Sequence, residues 1–190
     1  MEFAVVDIET TGGMPQSNGI TEIAIVLHNG VEVTGKYVTL INPRQKIPPF
    51  IVNMTGISDE MVATAPLFEE VAPQIYNLLK GRVFVAHNVS FDYGFVHYLL
   101  NHHGYSWSAP KLCTIRLSKK VFPGLIKYGL GSLTRDLGIH IEGRHRAWGD
   151  AAATAKVLTM AIEKEGMDPI HHLLNKKEPR KKIVPPNTPL

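Results

Sequence analysis

The chain opens with a short run in which apolar residues alternate with carboxylates. In an extended strand successive side chains leave opposite faces, so Phe3, Val5, Asp7 and Glu9 of segment 2–9 share one face and Val6 and Ile8 the other. Segments 21–28 and 31–40 flank Asn29-Gly30, a strong hairpin signal. Three strands therefore open the fold, the last two antiparallel. The proline-rich segment 43–49 predicts a loop. Ser58 followed by Asp59 and Glu60 predicts a capped short helix, and a second helix over 67–80 stops at Gly81.

Further along, 82–86 reads as a buried strand. Ser90 then opens a helix whose Phe91, Phe95, Tyr98 and Leu99 follow helical spacing. A short strand is expected at 111–113, with Cys113 as a small buried hydrophobe, and helical pieces at 114–121 and 131–137. A long helix covers 148 to about 165, with Ala151, Ala155, Leu158 and Ile162 on one face and Gly166 past its end. A hairpin followed by strands alternating with helices predicts an α/β fold: a mixed sheet with helices on its faces. Residues 1–170 form one expected domain, and 171–190 a basic, proline-rich tail.

The face shared by Asp7 and Glu9 raises a question of charge. Two carboxylates extending an apolar row cost several kcal/mol unless a cation or basic partner meets them. Two more acids stand at helix starts: Asp92, after the strand exit His87-Asn88, and Asp150, at the head of the long helix. Strand ends and helix starts are the edges where open sheets carry their sites. His145 precedes Asp150 by five residues, a separation that would put the two side chains roughly 140° apart on one continuous helix. It is therefore expected on the loop or frayed turn ahead of that helix.

Composition narrows the partners. With one cysteine among 190 residues, a disulfide framework and a thiolate-rich zinc site are excluded, and hard cations with oxygen ligands remain. The net charge of +3 hides an acidic half: residues 1–110 sum to −5 and residues 111–146 to +6. A basic band beside a cation-holding site suits an anionic polymer. No apolar run approaches the ~20 residues of a membrane span and no signal peptide opens the chain, so a cytoplasmic protein is expected.

Four segments together resemble a known family, the DEDD-type 3′-to-5′ exonucleases, in the histidine branch that includes the epsilon proofreading subunit of DNA polymerase III. They are Val6-Asp7-Ile8-Glu9-Thr10-Thr11-Gly12, Asn53-Met54-Thr55-Gly56-Ile57, Ala86-His87-Asn88-Val89-Ser90-Phe91-Asp92, and His145 with Asp150. They occur in that order across residues 1 to about 165. The sister branch carries tyrosine four residues before the last acid, where this chain has Arg146. Thr55 stands where some relatives carry histidine.

The resemblance implies an RNase H-like fold with a mixed five-stranded sheet and helices on both faces. It also implies metal-dependent removal of 5′-mononucleotides from a 3′ end. Asp7, Glu9, Asp92 and Asp150 would then bind two divalent cations, Mg²⁺ or Mn²⁺, about 3.5 to 4 Å apart, which relieves their mutual repulsion. His145 would take the proton of the attacking water, since an imidazole with its ordinary pKa near ~6.5 can be neutral at pH 7. Thr10, Thr11 and Gly12 follow the acids directly and offer donors to the terminal sugar and phosphate. Ile57 would wedge against the terminal base, with His87, Asn88 and Phe91 lining the same cleft. Lys119, Lys120, Lys127 and Arg135 are candidates for phosphate contact.

The expected substrate is a single-stranded or frayed 3′ end of DNA. RNA trimming, or a non-catalytic nucleic-acid-binding subunit, are the alternatives. The tail is expected to link to another domain or to dock on a polymerase or clamp complex.

Overall fold

A computed structural model describes residues 1–175. Its five strands lie in the order β3-β2-β1-β4-β5. Strands β1 (Phe3–Thr10), β2 (Ile20–His28) and β3 (Val33–Leu40) form an antiparallel meander. Strands β4 (Val83–Ala86) and β5 (Lys111–Cys113) continue the sheet in parallel from β1. The fold is the mixed five-stranded, RNase H-like arrangement expected.

Alternation along β1 sorts the core into two layers. Ala4, Val6 and Ile8 pack against α3 (Phe68–Leu79) and α4 (Ser90–His102), with Phe84 and Trp107 in the same layer. Phe3 and Val5 pack on the other side against α5 (Thr114–Val121), α7 (Ala147–Glu165) and α8 (Asp168–Asn175). Helix α6 (Leu130–Asp136) contacts α7. Asp7 and Glu9 therefore continue the row that faces α7, at the carboxyl end of the central strand.

Three elements differ from expectation. The proline-rich segment does not stay a loop to its end, because α1 (Pro49–Thr55) starts on Pro49, whose missing N–H costs nothing in a first turn. It ends at Gly56 in the left-handed region (φ 71°) and is followed by the short α2 (Asp59–Val62), capped by Ser58 as expected. On α4 the inward face is Asp92, Phe95, Val96 and Leu100, one residue on from the row beginning at Phe91. That roll turns the acid inward and leaves Phe91 exposed. Finally, α8 spans the expected boundary at 170, with Ile170 buried and Leu173 and Leu174 against the α7 layer. Most of the basic tail, 176–190, lies outside the described residues. Cys113 is half-buried in β5, packed at the margin of the α3/α4 layer.

Candidate active site

The site forms where β1 outruns its parallel neighbour. The β1/β4 ladder ends at Val5↔Val85, so the Ile8 N–H on that edge has no strand partner and donates instead to Asp92 Oδ1 at 3.2 Å. Although α4 packs on the opposite layer from α7, Asp92 sits in its first turn and reaches round the end of the sheet. From the other layer, the first turn of α7 delivers Asp150. Ligand oxygens of Asp7, Glu9 and Asp150 all lie within 4.8 Å of one another. Four carboxylates from distant parts of the chain are thus gathered at one strand end.

Their electrostatics are those of an uncompensated anionic cluster. Withdrawal from water holds Asp7 well above the usual carboxylate range, and the charges of Asp92, Asp150, Glu9 and Glu22 push it further. Burial, then Asp150, Glu22 and Asp92, raises Glu9 to about 8 against an opposing pull from Arg146. Asp92 is pushed to about 7 by burial, with its own backbone N–H and that of Ile8 holding it down. Asp150 is raised by burial, opposed by the His145 N–H and the charges of His145 and Arg144. One of its oxygens, Oδ1, is buried without a hydrogen-bond partner. A cluster that resists ionisation and keeps a carboxylate oxygen free suits one or more hard cations.

His145 lies on the loop before α7, as its spacing from Asp150 predicts. It is half-buried, takes a left-handed backbone (φ 62°), and its N–H donates to Asp150 Oδ2 at 3.3 Å. The imidazole is near enough for its charge to be felt at Asp150.

The remaining expected residues fall into two groups. His87, Asn88 and Phe91 occupy the turn from β4 and the start of α4. His87 Nδ1 shares a hydrogen bond with Thr114 Oγ1 at 3.0 Å, and burial pushes its imidazole pKa down. Asn88 is exposed in the left-handed region (φ 72°), and the exposed Phe91 ring leans on Phe95 at 5.1 Å between centroids. Thr10 and Thr11, in contrast, are buried with their hydroxyls engaged. Thr10 Oγ1 donates to the Gly12 carbonyl at 2.7 Å, and Thr11 Oγ1 accepts from the Gly19 N–H at 3.0 Å, so both shape the β1–β2 loop. Ile57 is fully buried with Ile47, Ile51 and Val62 and offers no surface.

Sequence reasoning missed Glu22. It lies opposite Glu9 in the β1/β2 register and is 3% exposed, paired with Arg146. In an apolar strand a lone glutamate reads as one polar position, and its partner is 124 residues away. Beyond Arg146 opens a cleft of about 660 Å³ lined by Lys36, Tyr37 and Trp148, to which Glu22 but none of the four clustered acids contributes.

Residues 4–158 match the family model RNase_T, described as exonuclease. The chain belongs to this exonuclease family. It is 41% identical over 165 residues to the 3′-5′ exonuclease DinG of Bacillus subtilis (strain 168), covering 85% of this chain and 18% of that protein. It is 35% identical over 162 residues to the DNA polymerase III subunit epsilon of Aquifex aeolicus (strain VF5), covering 85% of this chain and 80% of that protein. The chain thus spans under a fifth of the DinG relative but most of the epsilon relative. Among solved structures, exonuclease X in complex with 5′ overhanging duplex DNA superposes with a TM-score of 0.71 at 28% identity, covering 86% of this chain and 93% of that one. No helix among the described residues is long and apolar enough to cross a membrane.

Proposed function

We propose that this protein is a metal-dependent 3′-to-5′ exonuclease that trims single-stranded or frayed 3′ ends of DNA to 5′-mononucleotides. The observation that carries the reading is the convergence of Asp7, Glu9 and Asp150 within 4.8 Å, with Asp92 anchored beside them on Ile8. Asp7, Glu9, Asp92 and Asp150 would hold two divalent cations, Mg²⁺ or Mn²⁺. Such ions, when bound, supply the positive charge that activates water and offsets charge on the phosphate and leaving 3′ oxygen. His145 receives the proton of the attacking water. Its N–H bond to Asp150 ties the base to a carboxylate of the cluster.

The substrate is oriented by residues at the rim. Exposed Phe91 and Asn88 meet the terminal nucleotide, and the Gly13 backbone, with open space beside it, permits close approach of the strand. Arg116, Lys119 and Lys120 on α5, with Lys127 and Arg135, are exposed and would track the phosphates. DNA is favoured over RNA by the likeness to exonuclease X, whose structure was solved on DNA. The likeness to an epsilon subunit supports a cytoplasmic role beside a polymerase or clamp complex, with the basic segment that follows α8 as the link.

A product assay on matched single-stranded DNA, mismatched duplex DNA and RNA in Mn²⁺ tests this. The expected result is a ladder shortening from the 3′ end of the single strand and of the mismatched terminus, with RNA degraded more slowly. Faster loss of RNA would make the protein an RNA-trimming enzyme, because that preference rests on 2′-hydroxyl contacts.

A further inference from the structure

The chemistry above leaves one buried carboxylate unused. Glu22 stands directly across from Glu9, and its charge adds to the repulsion felt by Asp7 and Glu9. A fifth acid beside four others is costly unless it is paired, and removing a partner from such a pair is costlier still. Glu22 is paired away from the cluster. Its Oε2 accepts from Arg146 Nε at 3.0 Å and from the Ala147 N–H at 2.8 Å, while Oε1 accepts from the terminal guanidinium nitrogen of Arg146 at 2.5 Å. Two oxygens thus take three donors from the two residues that immediately follow His145.

The same loop is seated from its other side. A Cβ on Gly149 would stand 2.0 Å from the carbonyl oxygen of Glu142 and 2.6 Å from that of Gly143. The loop backbone therefore lies directly on the first turn of α7, where only glycine leaves room. Between these two fixings His145 adopts its left-handed backbone and bonds Asp150. Non-glycine residues are uncommon in that region. Both Glu22 oxygens are committed to donors, whereas Asp150 keeps Oδ1 buried without a hydrogen-bond partner.

We infer that Glu22 is a positioning residue: with Arg146 and the Ala147 N–H it clamps the loop that presents His145, and it holds no cation. The inference rests on the exonuclease reading for its effect on turnover, but the clamp itself is testable without turnover. In Glu22→Gln the amide must turn its NH₂ toward one of the three donors, so at least one bond is lost and the guanidinium loses its charge partner. Arg146→Lys keeps the charge but not the fork. Because Arg146 is partly exposed, that variant probes the clamp even where Glu22→Gln folds poorly.

Three measurements on the full chain decide the matter. In both variants kcat on single-stranded DNA should fall about 10- to 100-fold, since small misplacements of a reacting group cost this much, while KM changes little. The stabilisation of the fold by Mn²⁺ should stay close to wild type. Hydrogen exchange should quicken over 142–150 and nowhere else. The double variant should be no worse than the poorer single one, as expected for residues acting as a unit.

Loss of Mn²⁺ stabilisation in Glu22→Gln would make Glu22 a ligand and overturn the inference. So would unchanged exchange over 142–150 in both variants. A wild-type protein that degrades neither DNA nor RNA would sink the exonuclease reading, while the exchange result would still decide the clamp.

Discussion

The two halves of the site rest on different supports. Asp7 and Glu9 stand on the central strand, with β2 along one edge, and their orientation follows from the alternation that buries Phe3 and Val5. His145 comes from a loop whose path depends on a glutamate of β2, an arginine and a glycine. Asp150 belongs to both, carried by a helix but bonded to the loop. A carboxylate set that must face a fixed charge gains from a rigid strand. On the proposed function His145 is a base that meets a water and a moving substrate, and it is held by contacts that small changes can disturb. Damage to the strand half should therefore abolish cation binding and turnover together, whereas damage to the loop half should separate them.

The largest effect is expected for Asp7→Ala. Turnover should fall by about 10⁴-fold or more, as for the loss of a residue that acts as part of a unit, and the rise in melting temperature on adding Mn²⁺ should shrink with it. Calorimetry beside a nuclease assay checks both. Next comes His145→Ala, with a rate loss of roughly 10² to 10⁴ and Mn²⁺ stabilisation retained. If the two variants lose metal stabilisation equally, the distinction between the halves fails.

A glycine pair sharpens the comparison. Gly149→Ala forces its new methyl against the Glu142 carbonyl and should displace the loop, lowering kcat and costing about 1 to 3 kcal/mol in denaturant unfolding. Gly13→Ala adds a Cβ with nothing within 4 Å and no left-handed backbone to strain, so stability should scarcely move.

A further effect concerns pH. Glu9 is raised to about 8 and Asp92 to about 7, from ordinary values near 4.5 and 3.8. The folded, metal-free chain thus binds more protons than the unfolded chain between those limits. Its stability should be greatest at or below the ordinary values and fall as pH rises through about 7 to 8. Melting curves in chelator from pH 5 to 8 should decline by several degrees, and added Mn²⁺ should restore more at pH 8 than at pH 6. A rising curve would contradict the raised values.

Much of the strand half is legible in the chain itself. The alternation of Phe3, Val5, Asp7 and Glu9 states a face, and the hairpin signal at Asn29-Gly30 states that the next two strands pair. Asp150 and the loop placement of His145 follow from spacing. What local pattern hides is whatever depends on a distant partner. Glu22 is one polar residue in an apolar strand until Arg146 closes on it. The inward face of α4 is set by the sheet end that accepts Asp92, so the apolar row alone places it one residue early. Ile57 sits in a motif that suggests contact with substrate, yet Ile47, Ile51 and Val62 of α1, α2 and their flanks bury it completely.

The most direct measurement is anomalous scattering from crystals soaked in Mn²⁺. The account predicts peaks bounded by the carboxylates of Asp7, Glu9, Asp92 and Asp150, with none bonded to Glu22. Full Mn²⁺ occupancy elsewhere on the protein, with no peak at this strand end, would contradict it.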